Sequence, residues 1–330
     1  AERKGKEENF FHRYVFWLFG FQAWQSHTVQ AVRCLPITQT EAKEQMELSS
    51  GWFGGRPNLA SAQLRTAREH GFYGIGLLPG DPFLGLDGIS EAHRDTGTHF
   101  TAASWDALHE SENPPHDLEK APDAIQRLQT LGANLLLIPA PPSSSEEAAG
   151  RGEKLLQRLR EEGNLEGDEA IEELLSQAST GLAAERELES LASFVHTLLH
   201  RWPELSLALV PSASPASLLT VETTKLLLGE LNHPALGLWL DLGAIHLRAA
   251  LGLEAVGDWL QCQSHQIRGV SLQDYANGQD QLLPGEGSGD FRLVAEYLPS
   301  SARRVLQVAP AYPGEALQEA LGVLESAGIQ

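Results

Sequence analysis

The residues best placed to do chemistry lie between Leu236 and Pro310. Three apolar runs follow one another there: Leu236-Gly-Leu-Trp-Leu-Asp241, Ile267-Arg-Gly-Val-Ser-Leu-Gln-Asp274 and Arg303-Arg-Val-Leu-Gln-Val308. Each reads as a buried strand with polar residues at or near its end. Helical patterns separate the runs, so the strands should lie parallel in one closed or doubly wound sheet. In such sheets chemistry takes place where the strands end. These ends carry Asp241, Ser271, Gln273, Asp274 and Gln307, with His246 a few residues beyond the first. The set is polar but poor in charge, whereas a metal enzyme wants more carboxylates and imidazoles.

Each of these residues has a chemical reading and a plain one. Asp241, Asp274 and His246 are the candidate catalytic groups. Asp241 could serve as a base or a ligand, or cap backbone amides at the strand end. Asp274 could orient a ligand hydroxyl or satisfy the turn that follows its strand. A lone His246 could be structural. Ser271, Gln273 and Gln307 could hydrogen-bond sugar hydroxyls from the strand ends, or simply seal the site. Glu286 belongs to Leu283-Pro-Gly-Glu-Gly287 and is expected to shape that loop or border the ligand. The glycines there could cradle a phosphate, but Glu286 and Asp290 would repel it. Earlier in the chain, Trp52 and Phe53 could stack on a sugar face or pack in the core. Read as strand neighbours, only one of the two can face inward. His99 could line a pocket with Trp105. No Ser/His/Asp order, phosphate-binding loop or zinc signature occurs.

The elements that must position these residues alternate strand and helix from Met46 onward. Strands are predicted over residues 48–53, 73–78, 99–105, 134–139, 205–210, 236–241, 267–274 and 305–309. Helices are predicted near 59–70, 89–94, 121–131, 184–201, 215–231, 245–251, 255–261, 291–298 and 314–327, with Asp290 capping the one that starts at Phe291. Eight βα units predict an α/β chain folded as a (β/α)8 TIM barrel. Its single domain spans 46–330, after an N-terminal extension over 1–45. Residues 141–181, rich in Ser, Glu, Ala and Gly, read as an insertion after the fourth strand with helical patterns at 146–161 and 168–177. The insertion would form either a lid or side wall at the catalytic face, or an acidic surface decoration.

The bulk properties narrow the function classes. The 330 residues carry a formal net charge of -20, which repels phosphate backbones and disfavours nucleic acid as a partner. Hydrophobic residues make up 42%, enough for a full core. Cys34 and Cys262 have no metal-type spacing, so a reducing cytoplasm is the simplest setting. No apolar run approaches the ~20 residues that span a bilayer. The aromatic residues between Phe10 and Trp24 could dock a protein partner through residues 10–24, pack onto the barrel, or have no native role.

The second half resembles the xylose-isomerase-like TIM barrels, also called the sugar phosphate isomerase/epimerase family. The resemblance is carried by Leu240-Asp-Leu-Gly-Ala-Ile-His246, Gly269-Val-Ser-Leu-Gln-Asp274, Leu283-Pro-Gly-Glu-Gly287 with Asp290-Phe291, and Val305-Leu-Gln-Val308. It extends loosely through residues 46–140. It implies a divalent metal held by a glutamate ending strand five, an aspartate ending strand six, a histidine in strand seven and a glutamate ending strand eight. Residue by residue, these positions fall at Val210 or Pro211, Asp241, Ser271 and Gln307. A further family histidine falls at Ala244. One of the four implied ligands, Asp241, is present. The expectation is a barrel that has lost most metal ligands and binds a small sugar-like or polyol ligand, or serves as a scaffold, with no metal cofactor. The alternative is an isomerase or epimerase with a rearranged site built from Asp241, Asp274 and His246.

Overall fold

The computed structural model describes residues 46–110, 116–141, 146–163, 165, 169 and 182–329. The extension over 1–45, with its candidate partner segment 10–24, lies outside the described residues. So does nearly all of the second helical pattern of the insertion.

Eight parallel strands close into a barrel: β1 (Met46–Ser49), β2 (Gly74–Leu77), β3 (His99–Ser104), β4 (Leu135–Pro139), β5 (Ser206–Val210), β6 (Leu236–Asp241), β7 (Ile267–Leu272) and β10 (Arg303–Leu306). The ring is sealed by β1 against β10, with Glu47 opposite Val305 and Leu48 opposite Leu306. Between β7 and β10 lies an antiparallel hairpin, β8 (Asp274–Ala276) and β9 (Gln279–Leu282). The helices are α1 (Ala60–Glu69), α2 (Ile89–Thr96), α3 (Ala121–Leu131), α4 (Glu146–Glu162), α5 (Leu182–Arg201), α6 (Val221–Leu231), α7 (Leu242–Ala250), α8 (Val256–Cys262), α9 (Phe291–Tyr297) and α10 (Gly314–Ser326).

Alternation along the strands sorts the core into two parts, because successive side chains point to opposite faces. Leu136 and Ile138, Leu207 and Leu209, Leu238 and Leu240, and Val270 and Leu272 belong to the main cluster beneath the helices. The residues between them, Leu135, Leu137, Ala208, Val210, Trp239 and Val305, form a separate cluster with Leu78 and Ala102 inside the ring. The lumen is a packed interior and not a channel.

The predicted elements shift at several places, among them the helix expected over 215–231, which begins at Val221 behind the Thr220 cap. The strand expected over 48–53 ends at Ser49, and Ser50–Phe53 form a 3-10 turn. The Ser49 hydroxyl accepts the Gly51 N–H at 3.1 Å and turns the chain there. The seventh strand stops at Leu272 and the last at Leu306, so Gln273 and Gln307 stand just past strand ends. The helix expected from Ile245 begins at Leu242, with Asp241 as its N-cap. The hairpin was not predicted, although Asn277-Gly278 is a strong hairpin signal. Both residues take positive φ, 51° and 77°.

The insertion begins as a wall. Leu155, Leu156 and Leu159 of α4 pack with Leu247 of α7, with Leu251 just past its end and with Tyr275 of the hairpin. Gln279 donates from Nε2 to the carbonyl of Arg160 at 2.8 Å. Gly278 is required at the contact, since a Cβ there would fall 2.0 Å from the Leu159 carbonyl oxygen.

Candidate functional site

Beneath the barrel mouth, the indole of Trp239 fills the lumen and is fully buried. Gly269, its partner on β7, leaves the space: a Cβ at 269 would sit 2.2 Å from the ring. A buried indole N–H needs an acceptor. Trp239 Nε1 donates to Ser271 Oγ at 2.9 Å. Ser271 therefore anchors the lumen core and does not line the cavity at the mouth.

One layer higher, the register of β6 on β7 sets Asp241 opposite Ser271. Asp241 Oδ1 accepts the Ala244 N–H at 3.0 Å and the Gln273 amide at 2.6 Å. The same Gln273 Nε2 donates to Gln307 Oε1 at 3.1 Å, and Gln273 Oε1 accepts the Gln281 N–H at 2.8 Å. Gln273 thus ties the ends of β6, β7 and β10 to the hairpin. Gly243 makes room for it, because a Cβ there would stand 2.5 Å from its amide carbon. Burial pushes the Asp241 carboxyl up to about 6, against the pull of the Ala244 amide and with a further push from Asp280.

Asp274 is a loop anchor. Its carboxylate accepts N–H groups from Tyr275 at 2.8 Å, Gly285 at 2.9 Å, Gly287 at 2.9 Å and Gly289 at 2.8 Å. This gathers the whole Pro284–Gly289 turn around one buried group. His246 stacks on Tyr275 with ring centroids 5.7 Å apart, and burial lowers its pKa against the opposing charge of Asp274. Glu286 is exposed and accepts the Tyr312 hydroxyl at 2.5 Å. Trp52 lies in the 3-10 turn, donates to the Tyr312 carbonyl at 3.0 Å and meets His70 edge-on. His99 opens β3 at the end of the barrel away from the mouth, where it packs on His93. Trp52 is therefore not a strand residue, and neither it nor His99 borders the cavity at the mouth.

The cavity at the mouth has a volume of about 430 Å³ and lies between the end of β1 and the turn after it, the segments that follow β2 and β10, and β9. Ser49, Asp81, Gln281 and Gln307 supply its polar groups, and Pro82, Val308 and Pro310 its apolar walls. Gly51, Gly54 and Gly55 bring backbone up to it. Gln281 holds a left-handed φ of 58°, pinned by its N–H to Gln273 and by its carbonyl, which accepts the Ala309 N–H at 3.0 Å. A strained non-glycine residue at a cavity fits a site shaped for use. Asp81 Oδ2 accepts the Leu78 N–H at 2.8 Å and the Ser49 hydroxyl at 3.4 Å. Burial pushes the Asp81 carboxyl up to about 8, with Asp106 adding to the effect. Of the sequence candidates, only Gln307 lines this cavity. Asp81 and Gln281 were missed, although Pro79-Gly80-Asp81-Pro82 presents a carboxylate after a strand just as Asp241 does.

No protein-family profile matches the chain, and no curated protein matches it in sequence. Solved structures do match. A xylose isomerase domain-containing protein from Salmonella typhimurium LT2 aligns with a TM-score of 0.58 and 13% identity, over 87% of this chain and 98% of that one. The chain has the xylose isomerase-like TIM-barrel fold. Among other barrels of this kind, 3-keto-D-glucoside 4-epimerase from E. coli aligns with a TM-score of 0.57 and 13% identity, over 86% of this chain and all of that one. An IolI protein with a bound zinc atom aligns with a TM-score of 0.52 and 15% identity, over 86% and 96%.

In this xylose isomerase-like barrel, the four positions at which the resemblance implies metal ligands are held by Val210 or Pro211, Asp241, Ser271 and Gln307. Among the described residues, no group of three or more His, Cys, Asp or Glu side chains could hold a metal ion. Nor is any helix among them long and apolar enough to cross a membrane.

Proposed function

We propose that this chain is a binding protein for a small sugar-like ligand, seated in the mouth cavity, and that it works without a divalent ion at the Asp241 position. One observation carries this reading. The Gln273 amide nitrogen sits between Asp241 Oδ1 and Gln307 Oε1, 2.6 and 3.1 Å away. Those are the oxygens a cation would draw on, and an NH2 group already directs its hydrogens at them. A hard divalent ion needs several anionic or imidazole ligands to offset its lost hydration. Here it would meet one carboxylate, one neutral amide, an apolar Val210 or Pro211, and a Ser271 oxygen already accepting from Trp239. The donor set does not fit the ion.

The rearranged isomerase is less well supported. Asp274 is occupied by four backbone amides, His246 by the Tyr275 ring, and neither borders the cavity. The sugar epimerase among the matching structures is consistent with a sugar-like ligand in this fold. Metal analysis of protein purified from medium supplemented with Mn²⁺ and Zn²⁺ tests the reading. The expected result is well below one ion per chain, with no rise in melting temperature on adding either metal. A stoichiometric ion that survives dialysis overturns it.

A further inference from the structure

We propose that α4 is a strap that leaves and regains its seat while the barrel stays folded, and that the hairpin β8–β9 carries its position to the mouth cavity. Leu155, Leu156 and Leu159 of α4 belong to a small apolar cluster, separate from the main core beneath the helices and from the cluster inside the ring. A satellite cluster of this kind opens at a lower free energy than the core it rests on. The helix also carries Gly150 and Gly152 in its first two turns. Only the second has a packing reason. A Cβ at 152 would fall 2.9 Å from Ser214 Oγ, whereas no described residue stands within 4 Å of one at 150. A glycine with nothing to make room for weakens a helix interior.

The seat, by contrast, is rigid. Arg248 is 2% exposed, grips both oxygens of Glu254 at 2.8 and 2.9 Å, and donates to the Ser214 carbonyl at 2.7 Å. This fixes the segment after β5 against which Gly152 lies. At its other end α4 meets the hairpin turn. The Leu159 carbonyl, which accepts the Gly163 N–H at 2.8 Å, presses on Gly278, and the Gln279 amide reaches the Arg160 carbonyl. Tyr275 joins the two sides. Its ring packs with the leucines of α4 and stacks on His246 of α7, and its hydroxyl accepts the Gly278 N–H at 3.1 Å. Two residues past Gln279, Gln281 lines the cavity. Release of α4 removes the contacts that hold the turn at 277–278, and the four-residue β9 passes the change to the cavity wall.

Hydrogen exchange of the full chain, followed by mass spectrometry, tests this. In the wild type, amides over 153–162 are expected to exchange at least about tenfold faster than those of β5, β6 and β7. Leu159→Ala trims α4 and leaves the hairpin sequence intact. It should speed exchange in α4 at least about tenfold and raise it over 274–282, with β5, β6 and β7 within about twofold of wild type. Gly150→Ala should slow exchange in α4 roughly two- to fivefold. If α4 exchanges as slowly as the barrel strands, if those strands speed up with it in Leu159→Ala, or if Gly150→Ala fails to slow it, α4 is part of the cooperative core and the strap is overturned. A hairpin that does not respond to Leu159→Ala overturns the link to the cavity. The readout needs neither ligand nor metal, so its failure leaves the binding reading untouched.

Discussion

Asp81 makes the chain's stability depend on pH in a definite direction. Its folded pKa of about 8 lies above the ordinary 3.8. Between those values the folded state binds the extra proton, so stability falls as pH rises through that window. Asp81→Asn removes the dependence and keeps an acceptor for the Leu78 N–H. Calorimetric melting is expected to show the variant roughly 1–3 kcal/mol more stable than wild type at pH 8, after allowance for the carboxyl's partial exposure, and equal to it at pH 4. A gap of the same size at both pH values would contradict the assignment. A second residue matters inside the lumen. Ser271→Ala leaves the buried Trp239 N–H without its acceptor, at a cost of roughly 1–3 kcal/mol. Urea unfolding measures this, and an unchanged midpoint would show that the pair does not anchor the lumen core.

At the scale of elements, the turn over Pro284–Gly289 and the hairpin β8–β9 depend on Asp274. Four backbone N–H groups lose their shared acceptor in Asp274→Ala. The expected loss is about 3 kcal/mol or more, with faster amide exchange at Gly285, Gly287 and Gly289. Slow exchange retained at all three glycines would sink the anchoring role. The hairpin was readable in principle from Asn277-Gly278, but its second strand, Gln279-Asp-Gln-Leu282, is too polar to announce itself by alternation. The first strand was overextended for the opposite reason. Trp52 and Phe53 favour strands, yet the Ser49 hydroxyl captures the Gly51 N–H and the chain turns before reaching them.

For the whole molecule, closure of the ring is complete within residues 46–306. β1 pairs on both sides, with β2 and with β10. A chain beginning at Met46 is therefore expected to unfold in one cooperative transition with its midpoint within about 4 °C of the full chain, a shift that corresponds to less than roughly 2 kcal/mol at this size. A broad or strongly lowered transition would show that residues 1–45 contribute to the barrel. The asymmetry of the mouth also belongs to this scale. The cavity lies toward β1, β2 and β10, while the Gln273 network closes the side at β6 and β7.

The eightfold βα alternation is local information. Apolar runs between glycines and prolines, with helical periodicity between them, depend only on near neighbours in the chain, so the barrel and most of its boundaries could be read directly. The candidate set at the ends of β6, β7 and β10 could be read for the same reason, since strand ends mark the face where chemistry occurs. Which of those polar groups are left free for a ligand is not local. Asp241 meets Gln273 because β6 and β7 pair in one register, and Gln273 reaches Gln307 only because the last strand closes on β7. Asp274 is taken up by the Tyr275 amide and by amides eleven to fifteen residues away, whereas Asp81 faces a cavity between segments about two hundred residues apart. Hydrogen-bond satisfaction is decided by three-dimensional neighbours, and that is why the fold was visible in the chain while the pairing of its strand-end polar groups awaited the structure.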